Sequence, residues 1–83
     1  MVGCARAGPT MDADTVRVAI QAYLAEMQQR LDKAAGIAKA AQACAATGNI
    51  EKGVEIALDV EQLMYEVSTL LNAASLVNRI SKT

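Results

Sequence analysis

From Ile20 onward the apolar residues of this chain recur at alternating steps of four and three: Ile20, Leu24, Met27, Leu31, Ala34, Ala38, Ala41 and Ala45. An α-helix turns once in about 3.6 residues, so this spacing lays all of these side chains along one stripe of a helix. A line at seven-residue intervals, Val16, Tyr23, Ile37 and Cys44, widens the stripe on one side and is interrupted only by Arg30. After a break the alternation resumes as Ile56, Val60, Leu63, Val67, Leu70, Ala74 and Val77, flanked by Ile50, Ala57, Met64 and Leu71. Each stripe is broader than the seam of a two-stranded coiled coil and has the width expected of a helix touching two neighbours.

The break between the stripes carries its own turn chemistry. Gly48 accepts the left-handed conformation that closes a helix, and the Asn49 side chain can take a hydrogen bond from the first free amides of the next one. Thr47, Gly48 and Asn49 therefore form a short connection, and short connections make helix neighbours antiparallel. Asp12 or Asp14 caps the first helix, while Glu51 and Glu55 open the second and Arg79 and Lys82 close it, all with the sign the helix dipole favours. Helices are expected near residues 13–46 and 50–81, each about 50 Å long.

Folding at Gly48 pairs residues whose numbers sum to about 97. Arg30, Lys33 and Lys39 then face a stretch that holds Glu51, Glu55, Asp59, Glu61 and Glu66 against Lys52 alone. Exposed ion pairs contribute little stability, so this match is evidence of register and not of strength. Side-chain size agrees, because the alanine-rich run from Ala34 to Ala46 lies against Ile56, Val60 and Leu63. Arg30 is expected to reach Glu66 across the hairpin.

The chain has 83 residues, and a domain this small buries too little apolar surface to be secure without a staple. With Cys4 and Cys44 as the only cysteines and no histidine, neither a disulfide framework nor a four-ligand zinc site is available. Oligomerisation remains. The expected fold class is all-α, an antiparallel two-helix hairpin assembling as a homodimeric four-helix bundle. Its core and dimer seam is Ile20, Leu24, Met27, Leu31, Ile56, Val60, Leu63, Val67, Leu70 and Val77. A pair of hairpins related by a twofold axis would cover both stripes.

The first ten residues, MVGCARAGPT, hold two glycines, the only proline and no periodic pattern. Residues 1–11 are expected to be a disordered segment ahead of the hairpin domain at 12–83, with Met11 a candidate natural start. That segment lacks the apolar core of a signal peptide, and no stretch has the length of a membrane span. A cytoplasmic protein with reduced thiols is expected.

Chemistry is sparse. Without histidine, acid/base work would need clustered carboxylates in the apolar face, and the acidic residues mostly take outward positions. Di-iron bundles require a Glu-x-x-His pair. Gly36 and Gly53 are isolated within helices and form no phosphate loop, and Cys44 on the apolar flank reads as a small buried hydrophobe. No enzyme activity, metal or cofactor is expected.

The run from Ala41 to Val60, with its Gly48-Asn49-Ile50 turn, resembles one tetratricopeptide unit. However, alanines replace the large residues before the turn, Gly53 stands where that family carries alanine, and a single unit cannot build a solenoid. Helical hairpins among secretion co-chaperones and plasmid RNA-binding regulators share no residue signature with it.

Outside the stripe of the second helix, Val54, Leu58, Tyr65 and Leu76 are candidates for a partner surface. The expected function is thus a non-enzymatic helical interaction module, acting as an adaptor, co-chaperone or small regulator, with itself and a protein as partners. The alternative is an RNA-binding regulator using Arg17, Arg30, Lys33 and Lys39 on the basic side of helix one. The net charge of −1 and the two tyrosines, Tyr23 and Tyr65, weigh against it. They also weigh against a lipid-surface role.

Overall fold

The computed structural model describes residues 12–82. The chain forms helix α1 over Ala13–Ala46, helix α2 over Ile50–Ala57 and helix α3 over Asp59–Lys82. The fold is all-α, with no strand among the described residues. Helices α2 and α3 form one arm that returns along α1, so the architecture is a helical hairpin. The expectation of a disordered segment at 1–11 lies outside the described residues.

Local chemistry accounts for each end. Asp12 caps α1, its carboxylate accepting the Thr15 amide at 2.7 Å, while Asp14 instead pairs with Arg17 at 2.8 Å. At the other end Gly48 has φ 99°, in the left-handed region. The Gly48 amide donates to the Ala45 carbonyl at 3.0 Å and the Asn49 amide to the Cys44 carbonyl at 3.3 Å. These two bonds are the pair that defines a Schellman closure, and they satisfy carbonyls the helix end would leave free. The Thr47 hydroxyl also donates to the Cys44 carbonyl, at 2.7 Å. Asn49 then starts α2 by accepting the Lys52 amide at 3.2 Å. Two residues thus end one helix and begin the next, and the chain has no room to do anything but reverse.

The second arm is not the single helix that periodicity suggests, because it is interrupted at Leu58. The Leu58 amide still bonds the Val54 carbonyl, and the Glu61 amide reaches back only three residues to the Leu58 carbonyl, both at 3.1 Å. This is one tightened turn of helical backbone. It falls between the part of the arm that Gly53 holds at backbone contact with α1 and the part spaced from α1 by Leu63.

The hairpin's own core is thin. Val16, Ala34, Ala41, Leu63 and Ala74 are its buried apolar residues among those described, together with Gly53. Ile20, Tyr23, Met27, Ile37 and Cys44 on α1, and Ile56, Val60, Val67, Leu70 and Val77 on the returning arm, are half-buried. Near the turn the helices approach closely, Gly53 of α2 lying against Ala41 and Ala45 of α1.

On α1 the contact with the returning arm uses a different pair of lines from the alternation read first. The hairpin packs Val16, Tyr23, Ile37 and Cys44, with Arg30 among them, alongside Ile20, Met27, Ala34 and Ala41. Leu24 and Leu31, expected in the seam, stay 49% and 44% exposed. One neighbour covers two of the three apolar lines on α1, and the third is left over.

Candidate partner-binding face

The leftover line of α1 is Leu24, Leu31, Ala38 and Ala45. On the returning arm the corresponding line is Ile50, Ala57, Met64 and Leu71, and Leu71 is 52% exposed. Each line lies four residues C-terminal to a packed line, so each is reached from the contact by turning the same way about its own helix. The helices run in opposite directions and face each other, so the same turn brings both lines onto one side of the hairpin. Leu24 comes level with Leu71, Leu31 with Met64, Ala38 with Ala57 and Ala45 with Ile50. Ala45 is partly covered by Gly53, whose position lies against it.

The margins of this face lack charge over most of their length. Gln21, Gln28, Ala35 and Gln42 border it on α1, and Val54, Ser68 and Ser75 border it on the other arm, where Glu61 is the single ionisable residue of that border. Charges gather on the opposite side instead. There Glu26, Gln29, Arg30, Lys33, Leu63 and Glu66 line a shallow groove of about 310 Å³. The Arg30 guanidinium donates from Nε to Glu66 Oε1 at 2.9 Å and from Nη1 to Glu26, and Gln62 Nε2 donates to the other Glu66 oxygen at 3.0 Å. Glu26 and Glu66 together hold the Arg30 pKa above its ordinary value. Gln62 first, and Arg30 second, hold the Glu66 carboxyl below the usual carboxylate range. The reach of Arg30 to Glu66 fits the register expected from the charge pattern.

The sequence-derived candidates fall on different parts of this surface. Val54, Leu58, Tyr65 and Leu76 are all exposed, yet they do not form one patch. Leu58 and Tyr65 share a line pointing directly away from α1, Leu76 lies toward the charged side, and Val54 borders the apolar face. Of the four cations considered for RNA, Arg17 and Arg30 are already bound to carboxylates of this chain, and Lys33 lies in the groove beside Glu66. A polyanion would have to displace those carboxylates.

Sequence reasoning missed the sorting of apolar and charged residues onto opposite sides. The signal lies in the uncharged lines of Gln21, Gln28, Ala35 and Gln42 and of Ser68 and Ser75. It can be read only once the packed pair of lines on α1 is known. Among the described residues no group of cysteines and carboxylates could hold a metal ion, and no helix is long and apolar enough to cross a membrane. Comparison with known protein families, curated proteins and solved structures finds no match.

Proposed function

We propose that this chain is a non-enzymatic interaction module of the cytoplasm whose working form is a homodimer, two hairpins closing into a four-helix bundle that serves as an adaptor, co-chaperone or small regulator. The observation that carries the reading is the apolar, nearly charge-free face that displays Leu24, Leu31, Met64 and Leu71. Depletion of charge from a contiguous apolar surface is what distinguishes the core of an interface from ordinary protein surface. Full burial of a leucine or methionine side chain contributes about 1.5–3 kcal/mol, so covering these four outweighs anything the surface ion pairs supply.

The test is the mass in solution. Light scattering after size exclusion should give twice the 8.7 kDa of the chain at micromolar concentration, with a value insensitive to moderate salt. A folded chain that stays at 8.7 kDa overturns the proposal. In the dimer, Leu58 and Tyr65 remain on the outside, where they are the surface offered to a further protein. The RNA-binding alternative predicts steep loss of binding with salt, and the engagement of Arg17 and Arg30 by carboxylates of the same chain weighs against it.

A further inference from the structure

We infer that the second copy lies on the apolar face head to tail, with its turn at the opposite end of the bundle, so that α1 packs against α1 of the partner copy and the returning arm against its equivalent. This inference rests on the dimeric reading above and specifies its geometry.

Side-chain size decides between the possible arrangements. Along the face the levels run Leu24 with Leu71, Leu31 with Met64, Ala38 with Ala57, and Ala45 with Ile50, large at the two levels toward the open end and, Ile50 apart, small toward the turn. Two twofold arrangements bring such faces together. If both turns lie at the same end, each level meets itself. One cross-section then holds four leucines, and the next but one holds only the alanines of Ala38 and Ala57, doubled. Helices spaced by the leucines would leave a void at the alanines, and interiors do not tolerate voids cheaply.

Turned end for end, the level of Leu24 and Leu71 meets Ala45 and Ile50 of the second copy, and the level of Leu31 and Met64 meets Ala38 and Ala57. Leu24 then faces Ala45, Leu31 faces Ala38 and Met64 faces Ala57, with Leu71 on Ile50 the one pairing of two large residues. Every level thus holds both large and small side chains, and the helices can stay evenly spaced along the contact. Polar residues bound the face at its open end, where Arg17 and Asn78 continue the two lines. The contact therefore ends where the apolar residues end.

The footprint suffices. Three heptads of helix span about 30 Å, and two helices side by side present a width of about 20 Å. The two copies together then bury roughly 1,200 Å², at the lower edge of stable specific interfaces. An unrelated partner would need an equally uncharged face that sets small residues against Leu24, Leu31 and Met64, and this chain reversed already has one.

The twofold axis then passes beside Ala35 on α1 and beside Glu61 on the returning arm. Each residue faces its own copy. With turns at the same end, Ala35 instead sits beside Glu61 of the second copy, and the two Ala35 residues lie on opposite edges of the bundle.

The experiment introduces Ala35→Cys into full-length chain carrying Cys4→Ser and Cys44→Ser, with mild oxidation at micromolar concentration. A disulfide needs β-carbons about 3.5–4.5 Å apart, so near-complete self-crosslinking is expected. Crosslinking confined to mixtures of the Ala35→Cys and Glu61→Cys chains overturns the head-to-tail geometry. So does a dimer by light scattering in which neither combination crosslinks. A chain that is monomeric by light scattering defeats the underlying dimer reading instead. As a second readout without new thiols, Glu61→Gln removes a like-charge meeting at the axis and should tighten the dimer several-fold at low salt. Weaker or unchanged association of that variant counts against the geometry.

Discussion

A β-carbon on Gly53 would stand 2.8 Å from the carbonyl oxygen of Ala41 and 3.1 Å from the Ala45 β-carbon. The obstacle is backbone, which cannot swing aside, so α2 lies against α1 at a distance only glycine permits. The glycine on the packed side of α2 thus has a specific cause, close contact between two helix backbones beside the turn.

Gly53→Ala should therefore destabilise the protein although alanine is the better helix former. Overpacking of a close contact costs about 1–3 kcal/mol, which exceeds the gain of about 0.5–1 kcal/mol in helix propensity. Gly36 gives the opposite result. An added β-carbon there meets nothing within 4 Å, so Gly36→Ala should raise stability by about 0.5–1 kcal/mol. Urea unfolding of the two variants side by side checks both signs.

The turn should be sensitive at both its residues. Gly48→Ala forces a β-carbon into left-handed backbone at a cost of about 1–2 kcal/mol, and Asn49→Ala removes the α2 cap at a cost of about 1 kcal/mol. Both losses should appear as a lower unfolding midpoint with an unchanged slope against denaturant.

Acid should weaken the hairpin through Glu66 and Asp12. Glu66 lies below its ordinary value of 4.5 because Gln62 and Arg30 bond its carboxylate, and Asp12 lies below 3.8 because it accepts the Thr15 amide. A carboxyl depressed by folding stabilises above its unfolded pKa, and that contribution is lost as pH falls through the folded value. Thermal unfolding followed from pH 7 downward should decline below about pH 4.5, and Glu66→Gln should flatten the upper part of that decline. A pH profile identical in the variant would remove Glu66 from the explanation.

Carboxylates introduced on the two sides of α3 and α1 should behave differently. Leu63 is buried inside the hairpin, so Leu63→Glu should unfold it, an unpaired buried charge costing several kcal/mol. Leu24 is open in the single chain, so Leu24→Glu should first abolish association and leave residual helix that scales with hairpin stability. Circular dichroism and light scattering on the same samples separate the two outcomes.

The helices, the turn and the antiparallel direction were legible in the residues because each depends on chemistry within a few positions. Asp12 meets the amide of Thr15, Asn49 that of Lys52, and Gly48 closes the helix that precedes it. The register was legible from charge, since Arg30 had a dense acidic stretch to face and meets Glu66. The interruption at Leu58 was not, because neither proline nor glycine stands at it and a single Asp59 within an apolar alternation reads equally as helix surface.

What the sequence by itself determined is that two amphipathic helices must fold back on each other with apolar stripes broader than one neighbour can cover. Which part of the α1 stripe goes inward was decided only in three dimensions. Leu24 and Leu31 are as apolar as Ile20 and Met27, so hydrophobicity alone cannot choose between the lines. The choice follows from fit, with Gly53 seated on the backbone of Ala41 and Ala45 and Arg30 turned to Glu66. That rotation of α1 sends its remaining apolar line to one side of the hairpin and the ion pairs to the other.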